Sequence, residues 1–194
     1  VTDAPQPTES RDLDDLTRFI HVGLTVFGIL ALLTGLWAGD YKRVHHLGFS
    51  AHKWLGLTLS FFMAWRIWHG LYGPREARFS QWVPYTPERL KLAGEDCLNL
   101  LRLRLPERPS HQGLAGAVQT FGLAVFAWMG LTGSLMALFL TPGRKAGGFV
   151  HAIKEFHELG PWLIVAFLVI HLGAVTLHAW AGKNLWRKMF FLEK

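Results

Sequence analysis

Apolar residues gather into four long stretches separated by polar links, and three of them, 19–39, 114–140 and 159–182, contain no Asp, Glu, Lys or Arg. The fourth, around 52–73, is interrupted internally only by Lys53 and Arg66. A helix crossing a bilayer needs roughly 20 mostly apolar residues, because it must satisfy its own backbone hydrogen bonds across about 30 Å of hydrocarbon. The pattern predicts an all-α membrane protein: a four-transmembrane-helix bundle running up-down-up-down, with helices at about 16–38, 51–72, 113–140 and 158–182. Residues 1–13 read as a flexible N-terminal segment, and 14–190 as a single domain. Asp14 or Asp15 suits the N-cap of the first helix, and Gly39-Asp40 its end.

The connection 74–112 is far longer than the median link of about four to six residues. Thr86-Pro87 reads as a helix start, since proline is tolerated in a first turn. Leu90, Ala93, Leu98 and Leu101 then form part of an apolar stripe, which predicts an interfacial helix between helices 2 and 3, lying on the lipid surface.

Hydrophobic residues make up 51% of the 194 and charged residues only 18%, as expected when most of the surface faces lipid. A soluble helical domain is the competing reading, but charge-free runs of 21 to 27 residues weigh against it. The net charge of +6 does not point to nucleic acid, because no basic stretch is interleaved with aromatics and no zinc-finger spacing occurs. Membrane topology accounts for it better. Thirteen Lys and Arg fall on the side holding the N-terminus, the 74–110 connection and the C-terminal tail, against six on the other, which predicts both termini in the cytoplasm. The start, VTDAPQPTESRDLDDL, lacks the basic onset and apolar core of a signal peptide, so the first apolar run is expected to be a retained helix.

The apolar stretches carry histidines. His157 and His171 are 14 residues apart, which puts them within about 40° on one helix face and roughly 21 Å apart along it. His52 begins the second crossing and His157 the fourth, both from the noncytoplasmic side, so they pair naturally. Toward the cytoplasmic side His171 matches His21 in depth, with His69 a rival that is rotated about 100° from His52. Two such pairs predict two haems with their irons held between histidines, one toward each face. Filled axial positions suit electron transfer. Cys97 is the only cysteine, which excludes an intrachain disulfide, a cysteine-held iron–sulfur cluster and covalent CxxCH attachment, so any haem here must be held noncovalently.

Arg66 stands 14 residues after His52 on nearly the same face, at the inner depth, where a haem propionate is an available anion for a buried guanidinium and snorkelling to the interface is the plainer role. Gly56 and Gly160 would let a flat macrocycle approach. His69 and His178 are candidate quinone or proton contacts on the cytoplasmic side. His45, His46, His111, His151 and His178 border the apolar runs, where interfacial anchoring or propionate contact is the simpler role than iron ligation. Intramembrane His21, Arg66, His69 and His171 also permit a proton or solute path without haem, and a cofactor-free assembly subunit is a third reading.

With RFIH at 18–21, HKWLG at 52–56, RIWHG at 66–70, HELG at 157–160 and a histidine at 171, the chain resembles the bacterial cytochrome b561 family over about residues 16–190. That family includes the b-type cytochrome subunits of nickel–iron hydrogenases and formate dehydrogenases. The resemblance implies a four-helix bundle with two b haems, held by His21 with His171 and by His52 with His157. It also implies transmembrane electron transfer between a quinone pool and a redox subunit or soluble electron carrier, in the bacterial inner membrane. The alternative within the family is a stand-alone oxidoreductase such as one passing electrons from superoxide to quinone. The long 74–110 connection, and basic residues near His45/His46 and at Arg144/Lys145, favour the subunit of a larger complex.

Overall fold

The computed structural model describes residues 14–39, 46–106, 108, 111–141 and 143–192, and every regular element among them is helical. Four long helices dominate: α1 (Asp15–Gly35), α2 (Leu47–Tyr72), α5 (Leu114–Phe139) and α6 (Gly148–Trp180). Between α2 and α5 lie a 3-10 turn (Arg75–Ala77), α3 (Phe79–Trp82) and α4 (Pro87–Leu101); a short α7 (Leu185–Met189) follows α6. Three helices, α1, α5 and α6, are long and apolar enough to cross a membrane. Their apolar side chains also point outward, as with Trp162 and Val169, 78% and 68% exposed. A surface of that kind faces lipid, and the fold is that of an all-α, multi-pass membrane protein.

Local chemistry sets the helix starts. Asp14 accepts from the Thr17 amide at 2.9 Å and caps α1; Thr86 accepts from the Arg89 amide and caps α4, with Pro87 in its first turn. Gly113, at φ 63°, gives α5 no side-chain cap of its own. A distant residue does the work: Oδ2 of Asp96 in α4 accepts from the Leu114 amide at 3.0 Å. Arg108 Nε donates to the other Asp96 oxygen, Oδ1, at 2.6 Å, so α4 and the strand of chain after it are tied to the base of α5.

Helix α6 begins at Gly148, not near 158, and carries Pro161 in its interior. Residues 148–157 still make favourable helical side-chain pairs, including Lys154 with Glu158, which extends the helix outward past the apolar run. Proline has no amide hydrogen, so the His157 carbonyl loses its i+4 donor inside the helix.

Adjacent long helices run antiparallel. Contacts 14 with 69 and 31 with 52 join α1 to α2; Ser60 with Gly130 joins α2 to α5; Thr132 with His157 joins α5 to α6. Packing follows the order α1 on α2, α2 on α5, α5 on α6. At mid-height Val125, Met129 and Ile164 form a buried cluster that Leu32 of α1 and Phe126 complete. This plug divides the bundle into two levels, with His52 and His157 above it and His21 and His171 below.

Candidate functional site

At the upper level the His52 and His157 rings are neighbours, their centroids 6.1 Å apart and their planes inclined at 74°. Each ring is fixed by the helix beside it. His52 Nδ1 donates to the Ala31 carbonyl of α1 at 2.8 Å; His157 Nδ1 lies 2.8 Å from the Thr132 hydroxyl of α5. Thr132 in turn donates to the Trp128 carbonyl at 2.9 Å, so its oxygen accepts the imidazole proton. Both Nδ1 atoms are thereby engaged, leaving Nε2 on each ring as the free lone pair.

The spacing has a chemical meaning. Imidazole nitrogens bind first-row metal ions at about 2 Å, and roughly 1 Å separates nitrogen from ring centre, so two rings on opposite sides of one ion have centres about 6 Å apart. The upper pair has that separation between ring centres. Partners on the far ring nitrogen are also the usual way a ligand's tautomer and direction are set. Neither Ala31 nor Thr132 is legible as such a partner from sequence, since a threonine in an apolar helix ordinarily bonds its own backbone.

Gly35 and Gly133 lie against these rings: a Cβ at either would come within 3.3 Å of the His52 or His157 Cε1. Of the two glycines singled out from spacing, Gly56 borders open space, as a cradle requires. Gly160 does not, because Met129 of α5 fills the place its Cβ would take; it is a helix-packing glycine.

At the lower level His21 lies within electrostatic range of both His171 and Arg66. Two buried atoms there lack a hydrogen-bond partner among the described residues: His21 Nδ1 and Arg66 Nη1. Phe190 meets the His21 ring edge-on at 5.6 Å, and Phe167 stacks on His171 at 5.3 Å. The donor set, two imidazoles and an unsatisfied guanidinium, fits an iron porphyrin with an acidic edge.

His69 is 2% exposed, and its Nε2 lies 3.1 Å from the Thr17 hydroxyl and 3.3 Å from Asp14 Oδ1, at the start of α1. Asp14 itself sits outside the apolar run. Its burial opposes ionisation, but hydrogen bonds from Thr17 and the neighbouring His69 outweigh this and hold its pKa below the ordinary carboxylate value. His178 is at the exposed end of α6, with Nδ1 bonded to the Ala174 carbonyl. His46 caps α2, and His151 faces Glu155; His45, Lys42 and Arg43 lie outside the described residues. Arg144 and Lys145 are exposed.

Long lipid-facing helices that carry partly buried histidines at two depths are the architecture of a membrane cytochrome. The chain belongs to the prokaryotic cytochrome b561 family, whose model matches residues 13–192. Membership implies transmembrane electron transfer by haem b with a quinone-linked partner, and members of the family are typically electron-transfer subunits of redox complexes. No curated protein and no solved structure matches the chain significantly.

Thr132→Val is nearly isosteric but removes the oxygen that His157 Nδ1 meets. Partner losses of this kind typically weaken metal binding by 10- to 100-fold. Titrating haem into apoprotein should show one site weakened to about that extent and the other unchanged.

Proposed function

We propose that this chain holds two haem b groups, one between His52 and His157 and one between His21 and His171, and passes electrons across the membrane between a quinone pool and a redox partner. The observation that carries the reading is the 6.1 Å separation of the His52 and His157 rings, each with Nδ1 engaged elsewhere. When bound, haem b supplies the one-electron chemistry. The chain supplies the ligands, their tautomers and a dry apolar plug at Val125, Met129 and Ile164 between the two levels.

In this reading α2 is a fourth crossing. Its Lys53 and Arg66 lower its hydropathy, yet it is packed between α1 and α5 inside the bundle. The charge bias puts both termini and the His21/His171 level on the cytoplasmic side. Helix α4 lies at that interface, its exposed Leu90, Leu98 and Leu101 directed to lipid.

Quinone reduction needs protons as well as electrons. Asp14, Thr17 and His69 form a hydrogen-bonded chain from the helix end inward, which suits His69 to relaying protons more than to touching a headgroup. His178, half-buried near the end of α6 with Nδ1 held by the Ala174 carbonyl, keeps Nε2 for a quinone. A pyridine haemochrome assay on the purified chain tests the reading: two noncovalent haems b per polypeptide are expected, and none after expression with ample haem would end it.

A further inference from the structure

The long connection between α2 and α5 returns to the bundle beside Arg66. The Arg66 guanidinium carbon lies 5.1 Å from the centre of the Phe79 ring and 5.8 Å from that of Trp82, both on α3. The His111 ring centroid lies 6.4 Å from that of Trp82, and His111 is within electrostatic range of Arg66. Trp82 is thus a common wall, buried at 6% exposure, for one residue of α2 and one of the connection.

His111 is held in an unusual way. Its backbone is in the left-handed region, at φ 67°, which few residues other than glycine adopt, though histidine does so more readily than most. The Asp96 carboxylate constrains this stretch by gripping Arg108 on one side of it and the Leu114 amide on the other. The Gln119 amide nitrogen donates to His111 Nδ1 at 2.7 Å, so the ring proton sits on Nε2. Burial first, and then the positive charge of Arg66, lower the His111 pKa against the hydrogen bond from Gln119, which keeps this neutral Nε2–H form dominant near neutral pH.

Two donors therefore flank one indole: a guanidinium Nη1 that is buried without a partner among the described residues, and an imidazole N–H. Asp14 is within electrostatic range of Arg66, but its oxygens are committed to Thr17 and His69. We propose that Arg66 and His111 are the two halves of a carboxylate clamp for the propionates of the haem held by His21 and His171, with the 74–112 connection contributing one half. The inference rests on that haem assignment. Positive charge and hydrogen bonding at a propionate favour the reduced haem, whose net charge is one unit more negative. Arg66 and His111 are accordingly positioning residues that raise the potential of one haem only.

Optical redox titration of the full chain in detergent, with haem counted in every sample, tests this. Arg66→Gln and His111→Leu should keep two haems and lower the potential of one, leaving the other unchanged. Arg66→Gln should shift its reduction equilibrium about tenfold, equivalent to about 59 mV for one electron. The double variant should fall short of the sum, as residues sharing a partner do. His111→Gln, which keeps an N–H donor, should restore part of the shift and serves in place of His111→Leu if the leucine variant loses haem. Unchanged potentials in both His111 variants at full haem content, or strict additivity, would overturn the clamp. So would shifts that vanish when anionic phospholipid is removed, which would make a lipid phosphate the anion. A wild-type chain without haem refutes the histidine reading instead, so the two failures are distinguishable.

Discussion

Changing His157 to glycine is expected to leave one haem per chain where the intact protein has two. The His52 and His157 rings stand at the separation expected of opposed ligands on one iron, and each is braced by a different neighbouring helix. Removing one ring leaves His52 as a single ligand across a space once shared, too little to retain haem through purification. The remaining haem should keep the sharp reduced bands of a six-coordinate centre, because the apolar plug at Val125, Met129 and Ile164 insulates the lower level. Electron transfer from one side of a proteoliposome to the other should be abolished. Free imidazole should restore the second haem to His157→Gly, as it can occupy the vacated ring position. Retention of both haems without imidazole would remove His157 from the ligand set.

Asp96→Ala should produce the largest loss of stability. The Asp96 side chain is 3% exposed and its two oxygens serve Arg108 and the Leu114 amide, the second of which is the cap of α5. Removing one partner of a buried ion pair costs roughly 3–5 kcal/mol. The Arg108 side chain is 26% exposed and keeps Glu95, so about 3 kcal/mol is expected. Glu95→Ala, at the exposed end of the same arginine, should cost below about 0.5 kcal/mol. Thermal unfolding in detergent compares them, and limited proteolysis should cut Asp96→Ala within the connection well before its helices yield. Equal unfolding temperatures for Asp96→Ala and the parent would show that the tie holds nothing.

Much of this organisation is legible in the chain. The apolar runs announce α1, α5 and α6 because charge within the hydrocarbon layer is costly, which leaves a charge-free run about as long as the layer is thick. Asp14 and Thr86-Pro87 announce helix starts through short-range bonds, which depend on nothing distant. The 14-residue interval between His157 and His171 follows from helical periodicity alone.

Other features have no local signal. The early start of α6 escapes the apolar pattern because residues 148–157 are held by side-chain pairs outside the lipid-length run. Gly160 and Gly56 look alike in sequence, yet one receives Met129 and the other borders open space, a distinction made by the rotation of α5 against α6. His69 looks like a free intramembrane histidine until α1 brings Asp14 and Thr17 to it.

By itself the sequence determined the helical membrane class, the number of apolar runs and which residue types could hold a haem, since length, charge and periodicity act within a few turns of chain. Only the tertiary structure decided that Ala31 and Thr132 orient the upper rings, that Asp96 caps a helix 18 residues away, and that His111 stands beside Trp82 and Arg66. Those relations join residues 18 to 45 positions apart, and their geometry depends on how the helices dock.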